Sequence, residues 1–246
     1  VNQNTIGMYA SAPTYSLGMV DPIEALGPIA ERRGLWLHVD ACVGGILAPF
    51  VRDSGYAVPA FDFAIPGVSS ISADLHKSGF AAKPASTVSF RTRELREFAR
   101  YTFDDWPSGV YSSLTFTGTR PGGAIAAAWA AMNFLGQEGY REIAAASMRA
   151  KQKTIDGLAA IEGVKVHGAP PLYAFSWAAS GVDMGAVAGA MARRGFMCGQ
   201  TTSPAGIHFM ATPVHEAAAD AYAAAAAESI AEARSSGAVG KAAAYN

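Results

Sequence analysis

The sequence predicts an α/β chain: a mainly parallel sheet in a large domain, then a small α+β C-terminal domain. Three observations carry this. The run Leu35-Trp36-Leu37-His38-Val39 is apolar enough for a strand covered on both faces, as parallel strands are. A second alternating run, Val68 to Ala73, follows a turn-rich connection and ends in the polar stretch Asp74-Leu75-His76-Lys77. Ahead of the first run, Asp21-Pro22 reads as an N-cap with proline at the first helical position, and Gly34 as the helix stop after Arg33.

The other elements follow in order. Thr5 to Ala10 reads as a strand and Ser11 to Met19 as a turn-rich loop carrying Tyr15. Pro49 to Pro59 is a surface excursion, Phe61 to Ile65 a short strand, and Ala85 to Phe90 another. The charged stretch Thr92 to Arg100 reads as a solvated helix, and the aromatic, glycine-rich Asp104 to Thr119 as a loop. Arg120-Pro121-Gly122-Gly123 opens an alanine-rich helix through Leu135, whose free N–H groups and dipole suit an anion. A second long helix, Glu138 to Ile161, leads into the smaller domain, so the division is drawn between residues 1–137 and 138–246. That domain reads as strands Val164 to His167, Leu172 to Trp177 and Ile207 to Ala211, with helices Met184 to Arg194 and Glu216 to Arg234. A loose tail, Ser235 to Asn246, closes the chain.

Composition removes several classes of function. Half of the 246 residues are hydrophobic, 16% are charged and the formal net charge is −1, so no basic stripe recommends nucleic acid as a partner. Two cysteines, Cys42 and Cys198, are too few for a disulfide framework or a zinc cluster, and a reducing cytoplasm is expected. No apolar run has the length of a membrane span. His38, Asp40 and Cys42 share one strand face, but nothing nearby completes a metal site, and His38 reads as a satisfied core residue.

The chemistry concentrates at two strand ends. Asp40 falls at the carboxyl end of its strand, the edge where open α/β sheets carry ligands. A carboxylate there calls for a cationic partner, and a protonated pyridine nitrogen is one. Lys77, just past the next strand, is held by the sheet; an apolar, already cationic neighbourhood would depress its amine into a usable nucleophile. An aspartate facing a ring nitrogen and a Schiff-base lysine are the groups pyridoxal phosphate demands.

The two stretches around these residues, His38-Val39-Asp40-Ala41-Cys42-Val43-Gly44-Gly45 and Ile71-Ser72-Ala73-Asp74-Leu75-His76-Lys77-Ser78-Gly79-Phe80, resemble the core motifs of the sphingosine-1-phosphate lyases. Those enzymes belong with the group II pyridoxal-phosphate-dependent decarboxylases, of aspartate-aminotransferase-like fold. Further likenesses run collinearly: Ser11-Ala12-Pro13 with Asp21-Pro22-Ile23, Phe61-Asp62-Phe63 with Pro66-Gly67-Val68, Asp105 to Tyr111, Gly118 to Gly123, and Gly206-Ile207-His208-Phe209. The resemblance covers nearly the whole chain.

What the resemblance implies is a pyridoxal-phosphate-dependent carbon–carbon lyase. It would cleave a phosphorylated long-chain amino alcohol in retro-aldol fashion, with an amino-acid decarboxylase as the alternative. Lys77 and Asp40 would be the catalytic and cofactor-binding pair, Ala41 would pack on the ring, and His76, Arg120, Gly122 and Gly123 would serve the phosphate. Lys83 and Tyr15 would meet the substrate, and a homodimer with shared sites is implied. Two departures touch the substrate side: Ser78 replaces the family's tyrosine, and Ala82-Lys83-Pro84 replaces its Pro-Lys-Gly. Against the family, the chain begins inside the cofactor domain, after the glycine-rich phosphate loop and the ring-stacking histidine. A fragment, an unrecorded front portion and a second polypeptide stay open, as does a non-catalytic partner of a complete homologue.

Overall fold

A computed structural model of the chain describes residues 1–240; the last part of the expected loose tail, 241–246, lies outside the described residues. The chain divides into two compact units: Val1–Ala12, Asp21–Ile46 and Ala60–Gly136 form the first, and Pro13–Val20, Leu47–Pro59 and Gln137–Asn246 the second.

The first unit is built on a four-stranded sheet in the order β1-β2-β3-β4, with β1 (Gly7–Ser11), β2 (Trp36–Asp40) and β3 (Val68–Asp74) parallel and β4 (Ser86–Phe90) antiparallel to β3. Between β1 and β2 runs α1 (Ile23–Arg33), ended by Gly34 at φ 61°, the left-handed cap that glycine adopts without strain. Asp21 is not its N-cap. Pro22 holds that position, and Asp21 Oδ2 instead accepts from the Ser11 N–H at 2.7 Å, fixing the end of β1. β2 is not apolar on both faces. Leu37 and Val39 are fully buried, while Trp36, His38 and Asp40 line a half-open polar face.

Phe61 to Ile65 form turns, not a strand, and Arg91 is the reason. Its guanidinium donates to the Phe63 carbonyl at 3.0 Å, to Ile65 at 2.5 Å and to Val68 at 2.6 Å, and lies over the Phe63 ring. Carbonyls that a strand would offer to a neighbour are spent on one side chain. α1 meets this turn backbone to backbone: a Cβ on Gly27 would stand 2.4 Å from the Pro66 carbonyl oxygen.

The unit continues with α3 (Arg93–Glu97), whose N-cap Thr92 accepts from Leu95 N, after the short α2 (Ala48–Asp53) of the other unit. The stretch read as a loop contains an antiparallel ribbon, β5 (Tyr101–Phe103) with β6 (Tyr111–Ser113). α4 (Gly122–Ala159) is the pair of expected helices joined across a kink at Gly136, φ 57° and ψ −172°.

In the second unit, β7 (Val164–Val166), β8 (Ala174–Ala179), β9 (Gly199–Thr202) and β10 (Ala205–Met210) make an antiparallel sheet in the order β7-β8-β10-β9. β9 was absent from the sequence reading because Gly199-Gln200-Thr201-Thr202 is a polar edge strand with no apolar alternation. α5 (Met184–Arg193) and α6 (His215–Ser236) accompany the sheet, and Trp177, Tyr173, Phe175, Met191, Ile207 and Ile230 form its buried centre. Tyr222 accepts the Trp177 indole proton at 3.1 Å, so this core leaves neither polar tip unpaired. Among the described residues no helix is long and apolar enough to cross a membrane.

Candidate active site

Adjacent parallel strands bring the two sequence motifs together. β2 ends on Asp40 and β3 on Asp74, side by side in the sheet, so Lys77 emerges from the turn next to the Asp40 strand end. Cys42 lies between them: Lys77 Nζ stands 3.0 Å from Cys42 Sγ, and the Cys42 N–H donates to Asp40 Oδ1 at 3.0 Å.

Asp40 is dressed to remain an anion. Burial alone would raise its carboxyl, but the Cys42 side chain and N–H, the Tyr9 hydroxyl and the Ser72 hydroxyl outweigh that and hold it below the usual carboxylate range. Tyr9 donates to Oδ2 and Ser72 to Oδ1, each at 3.2 Å. Burial raises the Cys42 thiol, and so does the neighbouring Asp40, against the opposing pull of Lys77.

Lys77 departs from expectation. Its surroundings are anionic, not cationic. Burial would lower its amine, but Asp74 and Cys42 more than reverse this and push it well above the ordinary lysine value. The ammonium sits 2.9 Å from Asp74 Oδ2, with 35% of the lysine side chain exposed and 13% of the aspartate. The amine is therefore stored in its protonated form.

The remaining predicted residues fall as follows. Ala41 is fully buried, and a Cβ on Gly45 would stand 3.2 Å from its own. His76 Nδ1 bonds the Ala85 carbonyl at 2.8 Å, and its Nε2 lies 3.6 Å from Asp74 Oδ2. Lys83 is exposed in the loop before β4, ahead of a cis peptide bond to Pro84. Arg120 is exposed and donates to Thr117 Oγ1, while Gly122 and Gly123 open α4 with nothing packed against them. Tyr15 belongs to the second unit, its ring 4.5 Å from that of His208.

Sequence reading missed Tyr9, Ser70, Ser72 and Asp74. Tyr9, Ser70 and Ser72 stand beside His38 and Asp40, Tyr9 pairing with His38, Ser70 with His38 and Ser72 with Asp40, and Asp74 ends β3 on the same face as Ser70 and Ser72. Strand alternation was the available signal. Both His38 ring nitrogens meet serine hydroxyls, Ser70 at 2.8 Å and Ser72 at 3.2 Å.

The donor set suits pyridoxal phosphate. A carboxylate kept ionised can hold a proton on a ring nitrogen, and a lysine at the neighbouring strand end can meet an aldehyde.

Comparison with known proteins agrees. Residues 2–167 match the pyridoxal-dependent decarboxylase conserved domain. A sphingosine-1-phosphate lyase of Oryza sativa is 40% identical over 215 residues, covering 87% of this chain and 40% of the relative. The structure of a Burkholderia pseudomallei sphingosine-1-phosphate lyase superposes with a TM-score of 0.91 at 36% identity, over 96% of this chain and 54% of that one. A Lactobacillus brevis glutamate decarboxylase shares the fold, with a TM-score of 0.77 at 17% identity over 95% of this chain and 56% of the other. The chain thus spans about 40% of the length of the plant relative it matches. With this match and the paired strand ends of Asp40 and Lys77, the chain belongs to the pyridoxal-dependent decarboxylase family and carries part of its fold type I architecture.

Proposed function

We propose that the protein to which this chain belongs is a pyridoxal-phosphate-dependent carbon–carbon lyase acting on a phosphorylated long-chain amino alcohol. The observation that carries the proposal is the meeting of Asp40 and Lys77 at neighbouring strand ends, with Cys42 touching both. When bound, pyridoxal phosphate supplies an aldehyde for an amine and a ring that accepts electrons from the bond being broken. Asp40, kept ionised by Ser72, Tyr9 and Cys42, holds the proton on the ring nitrogen. Lys77 begins as an ammonium and must release a proton from Nζ before it can act; Asp74, at 2.9 Å, and His76 beyond it are the groups placed to receive it. A base would then take the substrate's hydroxyl proton as the Cα–Cβ bond breaks, and a proton would be returned to Cα, giving an aldehyde and phosphoethanolamine. Lys83, exposed beside this turn, would attract the substrate phosphate, and Ala41, His76, Arg120, Gly122 and Gly123 would complete the cofactor site. Tyr15 would meet the substrate.

A second copy of the chain is the proposed partner. Along α4, Ile125, Trp129 and Met132 are 60%, 70% and 44% exposed and stand at i, i+4 and i+7, a row of large apolar side chains that a homodimer would cover. The expected compartment is the cytoplasm.

The family's namesake activity favours a second reading, loss of a carboxylate as carbon dioxide. One experiment separates the two. The chain is loaded with pyridoxal phosphate, reduced with borohydride and digested, and in parallel incubated with sphingosine 1-phosphate or with acidic and aromatic amino acids. Label on Lys77 and a long-chain aldehyde product are expected. Carbon dioxide without aldehyde moves the protein to the decarboxylases, and label on Lys83 or Lys151 with Lys77 clean overturns the site.

A further inference from the structure

Behind Asp40 runs a chain of hydrogen bonds whose direction can be worked out proton by proton. Trp36 Nε1 lies 2.9 Å from Ser70 Oγ, Ser70 Oγ 2.8 Å from His38 Nδ1, His38 Nε2 3.2 Å from Ser72 Oγ, and Ser72 Oγ 3.2 Å from Asp40 Oδ1. An indole nitrogen only donates and a carboxylate only accepts, while each serine hydroxyl has one proton to give. Ser72 must give its proton to Asp40, so it must receive one from His38 Nε2. His38 Nδ1 is then the acceptor, and Ser70 fills it while receiving the indole proton. The opposite tautomer would leave Ser72 and Asp40 facing each other as two acceptors. A doubly protonated ring would leave the nearly fully buried Ser70 receiving two protons and passing on none through this chain. Burial favours the uncharged ring, against the opposing pull of Asp40.

Irregular pairing makes the chain possible. Leu37 pairs with Val68 but His38 with Ser70, so the register slips by one residue between Leu37 and His38. Without that slip His38 would face Ser69 and Asp40 would face Ile71. The skipped Ser69 uses its hydroxyl to accept the Leu37 N–H at 3.2 Å. A bulge that aims two serines at a histidine and an aspartate is a built arrangement.

We propose that His38 is a positioning residue: as its Nε2–H tautomer it fixes, through Ser72, the hydrogen bond that orients Asp40. The proposal rests on Asp40 being the carboxylate that faces the cofactor ring. Its consequence is that the acidic strand end is held by a relay anchored on Trp36, four residues upstream on the same strand.

The test uses the full chain labelled with 15N. Long-range proton–nitrogen correlation at neutral pH should show His38 protonated on Nε2 and bare on Nδ1. The Cys42 amide, which donates to Asp40 Oδ1 at 3.0 Å, reports the carboxylate's orientation without any cofactor. It should shift in Ser72→Ala and in His38→Phe, and stay in place in His38→Gln, whose amide can still donate to Ser72. With cofactor and substrate, kcat should fall about tenfold to a hundredfold in Ser72→Ala and His38→Phe, the effect of losing a hydrogen bond to a charged group. KM should hold and His38→Gln should keep most of the rate. A His38 proton on Nδ1 in the unmutated chain, or equal loss in His38→Gln and His38→Phe, overturns the relay. Failure of the cofactor to join Lys77 would instead sink the lyase reading, and the nitrogen and amide shifts would still decide the relay.

Discussion

Replacing Asp74 by asparagine should make Lys77 more reactive at neutral pH. Asp74→Asn keeps an oxygen for the Ser86 hydroxyl, which donates to Oδ1 at 2.6 Å, and removes the charge 2.9 Å from Lys77 Nζ. At that separation the attraction is worth about 1.4 kcal/mol at the dielectric constant of water and about 6 kcal/mol at an effective value of 20. A lysine with 35% of its side chain exposed belongs near the lower limit. The amine should therefore fall by about 1 to 2 pKa units. Below both pKa values the free-amine fraction rises by the same factor, about tenfold to a hundredfold. Trace acetylation of the cofactor-free chain, read at Lys77 by peptide mass spectrometry across pH 7 to 10, measures this directly. Equal or slower labelling of Lys77 in a folded Asp74→Asn protein would refute the argument that Asp74 stores the amine as its ammonium.

Three other outcomes are expected. Asp40→Asn should leave Lys77 able to take the cofactor but remove most turnover, because an amide cannot hold a proton on the ring nitrogen; near-normal kcat would show that another group does so. Gly27→Ala should lower the urea midpoint by about 1 to 3 kcal/mol in stability, since the new methyl meets the Pro66 carbonyl and Ile65; an unchanged midpoint would mean that α1 can slide. His208 lies below the ordinary histidine value because burial outweighs the carbonyls of Ser16 and Phe175, and burial likewise lowers His215 and His167. A depressed histidine contributes stability above its unfolded value of about 6.5 that is lost as pH falls. Urea unfolding should weaken from pH 7 to pH 5, and His208→Phe should flatten that slope; an identical slope would clear His208.

What the sequence determined by itself was the chemistry and its frame. Asp40 and Lys77 were legible as candidate site residues because one follows an apolar run and the other an alternating run, both of which read as strands, and the strand ends of open α/β sheets are where ligands sit. α1 was legible to its last residue because Gly34 is local chemistry, a left-handed cap that needs no tertiary partner. Tertiary structure decided everything that depends on which residue lies opposite which. Asp21, read as a helix cap, was claimed by the Ser11 amide; residues 61–65, read as a strand, gave up two carbonyls to the Arg91 guanidinium. The state of Lys77 depended on meeting Asp74 and Cys42, which reverses the expected direction of its shift. The setting of Asp40 depended on a one-residue slip between β2 and β3. Register is a relation between strands distant in sequence, and no local pattern in His38-Val39-Asp40 states whether Ser69 or Ser70 will face His38.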